Sequence, residues 1–151
     1  MSTLKLLPAA LIAAGILGAC DRPQFRLSQW HTVGDAGWRY NDTLTFNKDS
    51  ADTLPVGRMV IGVRHTAAYP YSNLWIELSY LTADSLPAAD TVEIKLADAF
   101  GHWYGSGTGA SYQLTDTVVP HHSVLPSSQV RLRHIMRMDT VPEIEQMGIS
   151  F

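Results

Sequence analysis

Asn73-Leu74-Trp75-Ile76-Glu77-Leu78-Ser79-Tyr80-Leu81 alternates without a break. Leu74, Ile76, Leu78 and Tyr80 fall on one face, with Trp75, Glu77 and Ser79 on the other. Strand side chains repeat every two residues, so the stretch predicts a β-strand with one apolar and one wet face. The same period recurs on both sides of it. Val56 to His65 sets Met59, Ile61 and Val63 against Arg58, Val60 and Arg64. Thr91 to Ala97 buries Val92, Ile94 and Leu96 and exposes Glu93 and Lys95. Gln129 to Met138 alternates Val130, Leu132, His134 and Met136 against Arg131, Arg133 and Arg137. Tyr40 to Phe46, Ser111 to Leu114, Thr117 to Val119 and Ile149 to Phe151 are further, mostly shorter, candidates.

The connections carry turn residues: Asp49-Ser50-Ala51-Asp52, Ala83-Asp84-Ser85-Leu86-Pro87, and a loop with Gly101, Gly105, Gly107 and Gly109. One helical turn is expected. Thr140-Val141-Pro142-Glu143 has capping-box spacing with an early proline, and Gly148 would end the helix. Many short strands without intervening helices predict an all-β fold, an antiparallel, jelly-roll-like β-sandwich forming a single domain over residues 30–151. A closed barrel is the alternative.

The N-terminus reads differently. Lys5 precedes an apolar run that ends in Leu17-Gly18-Ala19-Cys20, with the chain's single cysteine last. A charged start, a short apolar core and small residues before a cut make a secretory signal. The core is shorter than the roughly 20 apolar residues that span a bilayer. The Leu-Gly-Ala-Cys ending resembles a bacterial lipobox, in which the thiol takes a diacylglyceryl group, the peptide is cut before Cys20 and the new amine is acylated. An ordinary signal peptide cut elsewhere would leave Cys20 incidental. Residues 1–19 are thus expected to be a lipoprotein signal peptide and residues 20–29 a polar lipidated tether. Several acyl chains give a stable anchor where one gives a marginal one.

Removing residues 1–19 from the 151-residue chain leaves 132, enough for one domain with a real core. The formal charge of −3 becomes about −4 without Lys5. Such a mildly acidic balance argues against nucleic-acid binding. With Cys20 lipidated no disulfide is possible, so the fold is expected to hold by packing alone.

No constellation points to catalysis. His121-His122 reads as a solvated loop pair, because no Asp, Glu or Cys stands beside it at ligand-like spacing. Asn47, Asp49 and Asp52 lack the spacing of a known calcium loop, and Lys48 adds positive charge. Gly101-His102-Trp103-Tyr104-Gly105-Ser106-Gly107-Thr108-Gly109 lacks the Gly-Lys-Ser/Thr of a P-loop and the Gly-x-Ser-x-Gly of a nucleophile elbow. It reads as a hairpin loop with aromatics packed on the sandwich edge. The functional alternative makes Trp103 and Tyr104 partner-binding residues. Asp98 and His102 are close enough for acid–base work, but no nucleophile accompanies them. No enzyme, cofactor or metal is expected.

Arg131, Arg133 and Arg137 share a strand face, and Arg64 is expected to join them from another strand, with Glu77 and Glu93 as partners. Ordinary ion pairing on a wet sheet face accounts for such a pattern. The functional reading is a docking surface of Arg64, Trp75, Arg131 and Arg133.

One run carries a family likeness. Val63-Arg64-His65-Thr66-Ala67-Ala68-Tyr69-Pro70-Tyr71-Ser72-Asn73-Leu74-Trp75 resembles the gliding-motility lipoprotein H (GldH) family of Bacteroidota, whose pattern is an Arg followed by Tyr-Pro-Tyr-x-Asn-Leu-Trp. Asp90-Thr91, Leu96-Ala97-Asp98, Gly101, Trp103, Gly105, Gly107, Met136-Arg137 and Gly148-Ile149 also fit. Val141-Pro142-Glu143-Ile144 departs from an expected Leu-x-Gly-Ile type of stretch. The resemblance implies a non-enzymatic accessory lipoprotein of the gliding machinery, linked to the type IX secretion system. The membrane, through Cys20, and other gliding or type IX secretion envelope proteins are its expected partners. It is expected in the outer membrane facing the periplasm. In non-gliding bacteria the resemblance implies a role in envelope assembly or secretion. A glycan-binding β-sandwich lipoprotein is the alternative, because sandwiches with exposed Trp often bind glycans.

Overall fold

The alternation at Asn73–Leu81 becomes a strand with those bounds in the computed structural model, which describes residues 29–47, 57–126 and 129–150. The strands are β1 (Gln29–Thr32), β2 (Trp38–Arg39), β3 (Leu44–Asn47), β4 (Met59–Thr66), β5 (Asn73–Leu81), β6 (Pro87–Lys95), β7 (Ser106–Thr108), β8 (Ser111–Val118), β9 (Gln129–His134), β10 (Thr140–Val141) and β11 (Ile144–Ser150). No helix occurs among the described residues. One sheet runs β1-β11-β4-β8-β7 and the other β3-β9-β5-β6, while β2 and β10 form a small ribbon. Every strand pair is antiparallel.

Setting aside β2, β7 and β10, eight strands remain. Numbered in chain order, they lie first-eighth-third-sixth in one sheet and second-seventh-fourth-fifth in the other. That order is a jelly roll, a double-sheet solution to the problem of sheet edges. Only β5 and β6 stay together as a hairpin. The other main connections cross between the sheets.

Period two explains the core. Ile61 and Val63 from β4, with Met147 and Ile149 from β11, face Leu74, Ile76 and Leu78 from β5, Ile94 from β6, and Val130 and Leu132 from β9. All of these are fully buried. Each such side chain contributes roughly 1.5–3 kcal/mol by leaving water. His65 and His134 occupy inward positions of the same alternation and are also fully buried.

The structure corrects several boundaries. The expected strand over Tyr40 to Phe46 begins only at Leu44, after a turn in which Asp42 N donates to Arg39 O at 3.0 Å. The two short segments at Ser111–Leu114 and Thr117–Val119 are one strand, β8. Gln29, expected at the end of the tether, is the first residue of β1. The helical turn at Thr140–Glu143 does not form. Glu143 takes φ +63° between β10 and β11, its carbonyl accepts from Thr66 N at 3.0 Å, and its carboxylate accepts from the Thr66 hydroxyl. A β-bulge between Ile144 and Gln146 shifts the register against β4, so Ile144 and Met147 both face inward three residues apart. That spacing imitates a helix. Gly148 sits inside β11, where a Cβ would lie 2.8 Å from the Trp30 ring. The glycine loop is a hairpin, with Gly109 at φ +72° turning β7 into β8. Cys20, Asp49 and Asp52 lie outside the described residues.

Candidate functional site

The wet face of the four-stranded sheet carries most of the expected docking residues. β5 presents Trp75, Glu77, Ser79 and Leu81 outward, β9 presents Arg131 and Arg133, and β6 presents Ala89, Thr91, Glu93 and Lys95. Glu77 stands opposite Arg133, whose Nε and Nη2 both donate to its carboxylate at 3.0 Å. These forked bonds hold the Glu77 carboxyl below the usual carboxylate range. The same guanidinium lies over the Tyr40 ring, 5.2 Å from its centroid. Arg133 is therefore committed inside the domain. Trp75 is 38% exposed, and its backbone N–H meets the Met136 sulfur at 3.3 Å. Glu93, opposite it, accepts from Asn73 Nδ2 at 2.7 Å.

Arg131 differs. It is exposed, and among the described residues no side chain partners it. It stands opposite Ser79, which stands opposite Ala89, so small side chains lie beside it on the sheet. They form part of a depression of about 670 Å³, bordered by Leu81, Pro87, Leu125 and Arg131.

Arg64 is not on this face. It lies in β4, at the centre of the other sheet, because the chain crosses between sheets from β4 to β5. There its Nε donates to Gln113 at 2.8 Å and its Nη1 to Gln146 at 2.5 Å, and it stacks over Trp30 at 4.6 Å. Gln146 continues the row to Thr32 at 3.3 Å. The expected four-residue surface thus reduces to Trp75 and Arg131, with Arg133 beside them.

The aromatics of the glycine loop divide. Trp103 packs on the core, its ring 4.6 Å from His65 and 6.0 Å from Tyr112. Its backbone bridges Ala97. Tyr69 of the Tyr-Pro-Tyr run joins the cluster, donating its hydroxyl to Asn73 O at 2.9 Å, and burial pushes its pKa up. Tyr104, the next residue, is 45% exposed. Asp98 braces this loop. Its carboxylate accepts from Phe100 N at 2.8 Å, His102 N at 2.9 Å and His102 Nδ1 at 3.0 Å, which holds its pKa down.

One cluster was not expected. His121 Nδ1 lies 2.8 Å from Asp90 Oδ1, and His121 N donates to Oδ2 at 2.9 Å. The Tyr80 hydroxyl also donates to Oδ2, at 2.8 Å, and accepts from His122 N at 3.2 Å. Asp90 is only 7% exposed, whereas the His121 side chain is 78% exposed. The signal was available: Asp90 falls on the inward parity of Val92 and Ile94. Burial raises the Asp90 pKa, but bonds from His121 and Tyr80 outweigh it and leave the carboxyl below its ordinary value. The pair is thus a tied loop rather than a wholly solvated one. Among the described residues no three His, Cys, Asp or Glu side chains group as a metal site, and no helix is long and apolar enough to cross a membrane.

The profile of the GldH lipoprotein family matches residues 27–151. The gliding motility lipoprotein GldH of Flavobacterium johnsoniae is 27% identical over 97 residues, covering 64% of this chain and 60% of that protein. A gliding motility lipoprotein GldH homolog of Christiangramia forsetii is 23% identical over 94 residues, covering 62% of this chain and 56% of that protein. The alignments thus span less than two thirds of each relative. No solved structure matches the chain. A match running from before β1 to the end of β11 takes in the whole jelly roll, and the chain belongs to the GldH lipoprotein family.

Proposed function

We propose that this protein is a non-enzymatic accessory lipoprotein of the gliding machinery, linked to type IX secretion and acting by docking on other envelope proteins. The family match over residues 27–151 carries the reading. In this reading the anchor is a lipidated Cys20, and the jelly roll sits at the outer membrane facing the periplasm, as the family resemblance implies. The docking surface is the wet face of the four-stranded sheet, where an exposed Trp75 accompanies an Arg131 with no side-chain partner among the described residues. Exposed aromatic and arginine side chains are favoured at interface centres. Glycan binding asks for a flat row of free aromatics. Here Tyr40 is taken up by Arg133, which favours docking on protein.

The test is replacement in the native host. A strain lacking the gene is complemented with the natural form, with Cys20→Ser, or with Trp75→Ala and Arg131→Glu together. Secretion of type IX cargo and colony spreading are measured. Loss of secretion in the deletion strain and in both variants supports the reading. A deletion strain that secretes and spreads normally overturns it.

A further inference from the structure

The four strands that end the two main sheets are unequal. β1 and β3 have 4 residues and β7 has 3, but β6 has 9. Natural edge strands are kept short, or guarded by proline, charge or bulges, because a free edge templates another strand. β6 has Pro87 at one end and Glu93 and Lys95 at the other; between them the outward-facing Ala89 and Thr91 carry no guard, and the one charge, Asp90, faces inward, where Tyr80 and His121 hold it.

The bonding phase of β6 follows from its flanks. Thr82 N donates to Leu86 O and Leu96 N to Ser72 O, both at 2.8 Å. In an antiparallel pair alternate residues bond across, so the even-numbered residues from Leu86 to Leu96 turn their amides to β5. The N–H and C=O groups of Ala89, Thr91 and Glu93 therefore point away from the sheet, and among the described residues none has a backbone partner. Inward-facing Ala88 and Val92 are only half-buried, whereas Ile94 is fully buried. The core is thus less covered at Ala88 and Val92, on either side of the buried Asp90. His121 contacts β6 through the Asp90 carboxylate and leaves the backbone free.

We propose that β6 is a strand-addition site, where an extended segment of a partner protein pairs with Ala89–Glu93 and extends the four-stranded sheet. Main-chain bonds give such a complex its affinity, and pockets for alternate side chains give it specificity. The segment alternates: apolar residues beside Ala88 and Val92, and polar ones beside Thr91, with a basic residue facing Glu93. A second copy fits less well. Antiparallel self-pairing centred on Thr91 sets Pro87, which has no N–H, opposite Lys95, and centring on Glu93 opposes like charges. The N-terminal segment joins at β1, which ends the other sheet at the edge away from β7. This inference rests on the docking role proposed above and names its mode.

The test is photo-crosslinking of the full-length lipoprotein in its native membrane. A benzophenone amino acid is placed at Ala89, Glu93, Trp75 or, as a control, Thr45 on the opposite edge. Crosslinks from positions 89 and 93 to sites a few residues apart in one extended segment of one protein are expected, with none from 45. Thr91→Pro removes an N–H that only an added strand uses, and an edge strand tolerates proline there. It should cut the yield from position 93 at least tenfold, while Thr91→Val should not. Ala89→Pro, read from position 93, serves if Thr91→Pro does not fold. Unchanged yields in folded proline variants, or crosslinks to residues 87–95 of a second copy, overturn the proposal. Crosslinks from 75 without any from 89 or 93 sink strand addition and leave the docking role standing. Silence at all of them sinks both.

Discussion

Replacing Asp90 with asparagine keeps the size of the side chain and removes its charge. In the native protein one buried carboxylate accepts the Tyr80 hydroxyl, the His121 backbone N–H and the His121 ring. Hydrogen bonds to a charged group contribute about 1.5–3 kcal/mol, and a buried donor left unpaired costs about 1–3 kcal/mol. The His121 ring is mostly exposed, so its bond adds little. The Tyr80 bond is buried and dominates. Asparagine can still accept there, but its NH₂ then faces other donors. The expected loss is about 2–3 kcal/mol at neutral pH, a fall of roughly 10 °C in Tm for a domain of this size. The pH arm has a definite sign. The folded pKa of Asp90 is below the ordinary 3.8, so its stabilisation is present above pH 3.8 and is lost as pH falls through the folded value. Thermal melts from pH 7 down to pH 3 should show the gap between natural and Asp90→Asn proteins closing in acid. A cycle with Tyr80→Phe should show coupling, because both changes remove the same bond. Natural-like melting of Asp90→Asn, or a gap that widens in acid, would refute the reasoning.

Further outcomes follow from single residues. Cys20→Ser should abolish incorporation of a fatty-acid analogue, and equal labelling would show that the thiol is not the acyl acceptor. Trp103→Ala should cost about 2–4 kcal/mol in a urea titration, because the ring packs on His65 and Tyr112; a cost below 1 kcal/mol would mark it as a surface residue. His134→Leu should lessen the loss of stability on acidification. Burial lowers the folded His134 pKa below 6.5, so the penalty for charging it starts near pH 6.5 and grows as pH falls. Melts at pH 8 and pH 5 check this, and equal acid sensitivity in the variant would assign the effect elsewhere. Trp75→Ala with Arg131→Glu should stay within about 1 kcal/mol of the natural protein, since neither side chain is buried.

The strand pattern was legible because each face of a sandwich sheet meets one environment. β5 has the bounds that its alternation predicts. Reading failed where the backbone changes phase. At β11 the bulge places Ile144 and Met147 on one side three residues apart, and no propensity distinguishes that from a helical turn. Thr140 and Glu143 offered capping chemistry, but Glu143 bonds to Thr66 on a strand far away in sequence. A local signal lost to a tertiary partner that only the fold supplies.

The same division governs the site. Parity gave the outward direction of Trp75 and Arg131 correctly, because direction is a property of one strand. Which sheet a strand joins is a property of the crossovers. Arg64 has the right parity to be wet and the wrong sheet to join Trp75, so outwardness alone could not assemble a surface. Asp90 and His121 are 31 positions apart, and only the return of the chain after β8 brings them together. The edge position of β6 is likewise a fact of topology. Its sequence, Pro87-Ala88-Ala89-Asp90-Thr91-Val92-Glu93-Ile94-Lys95, carries outward guards at its two ends and none on the outward side of its centre, where the one charge, Asp90, is turned inward and held by Tyr80 and His121. That spacing acquires meaning only when one neighbour is missing. A buried strand needs no guards, and an edge strand held inactive needs them throughout. A nine-residue edge whose outward side is guarded only at its limits is the pattern that leaves a defined length of backbone for another chain.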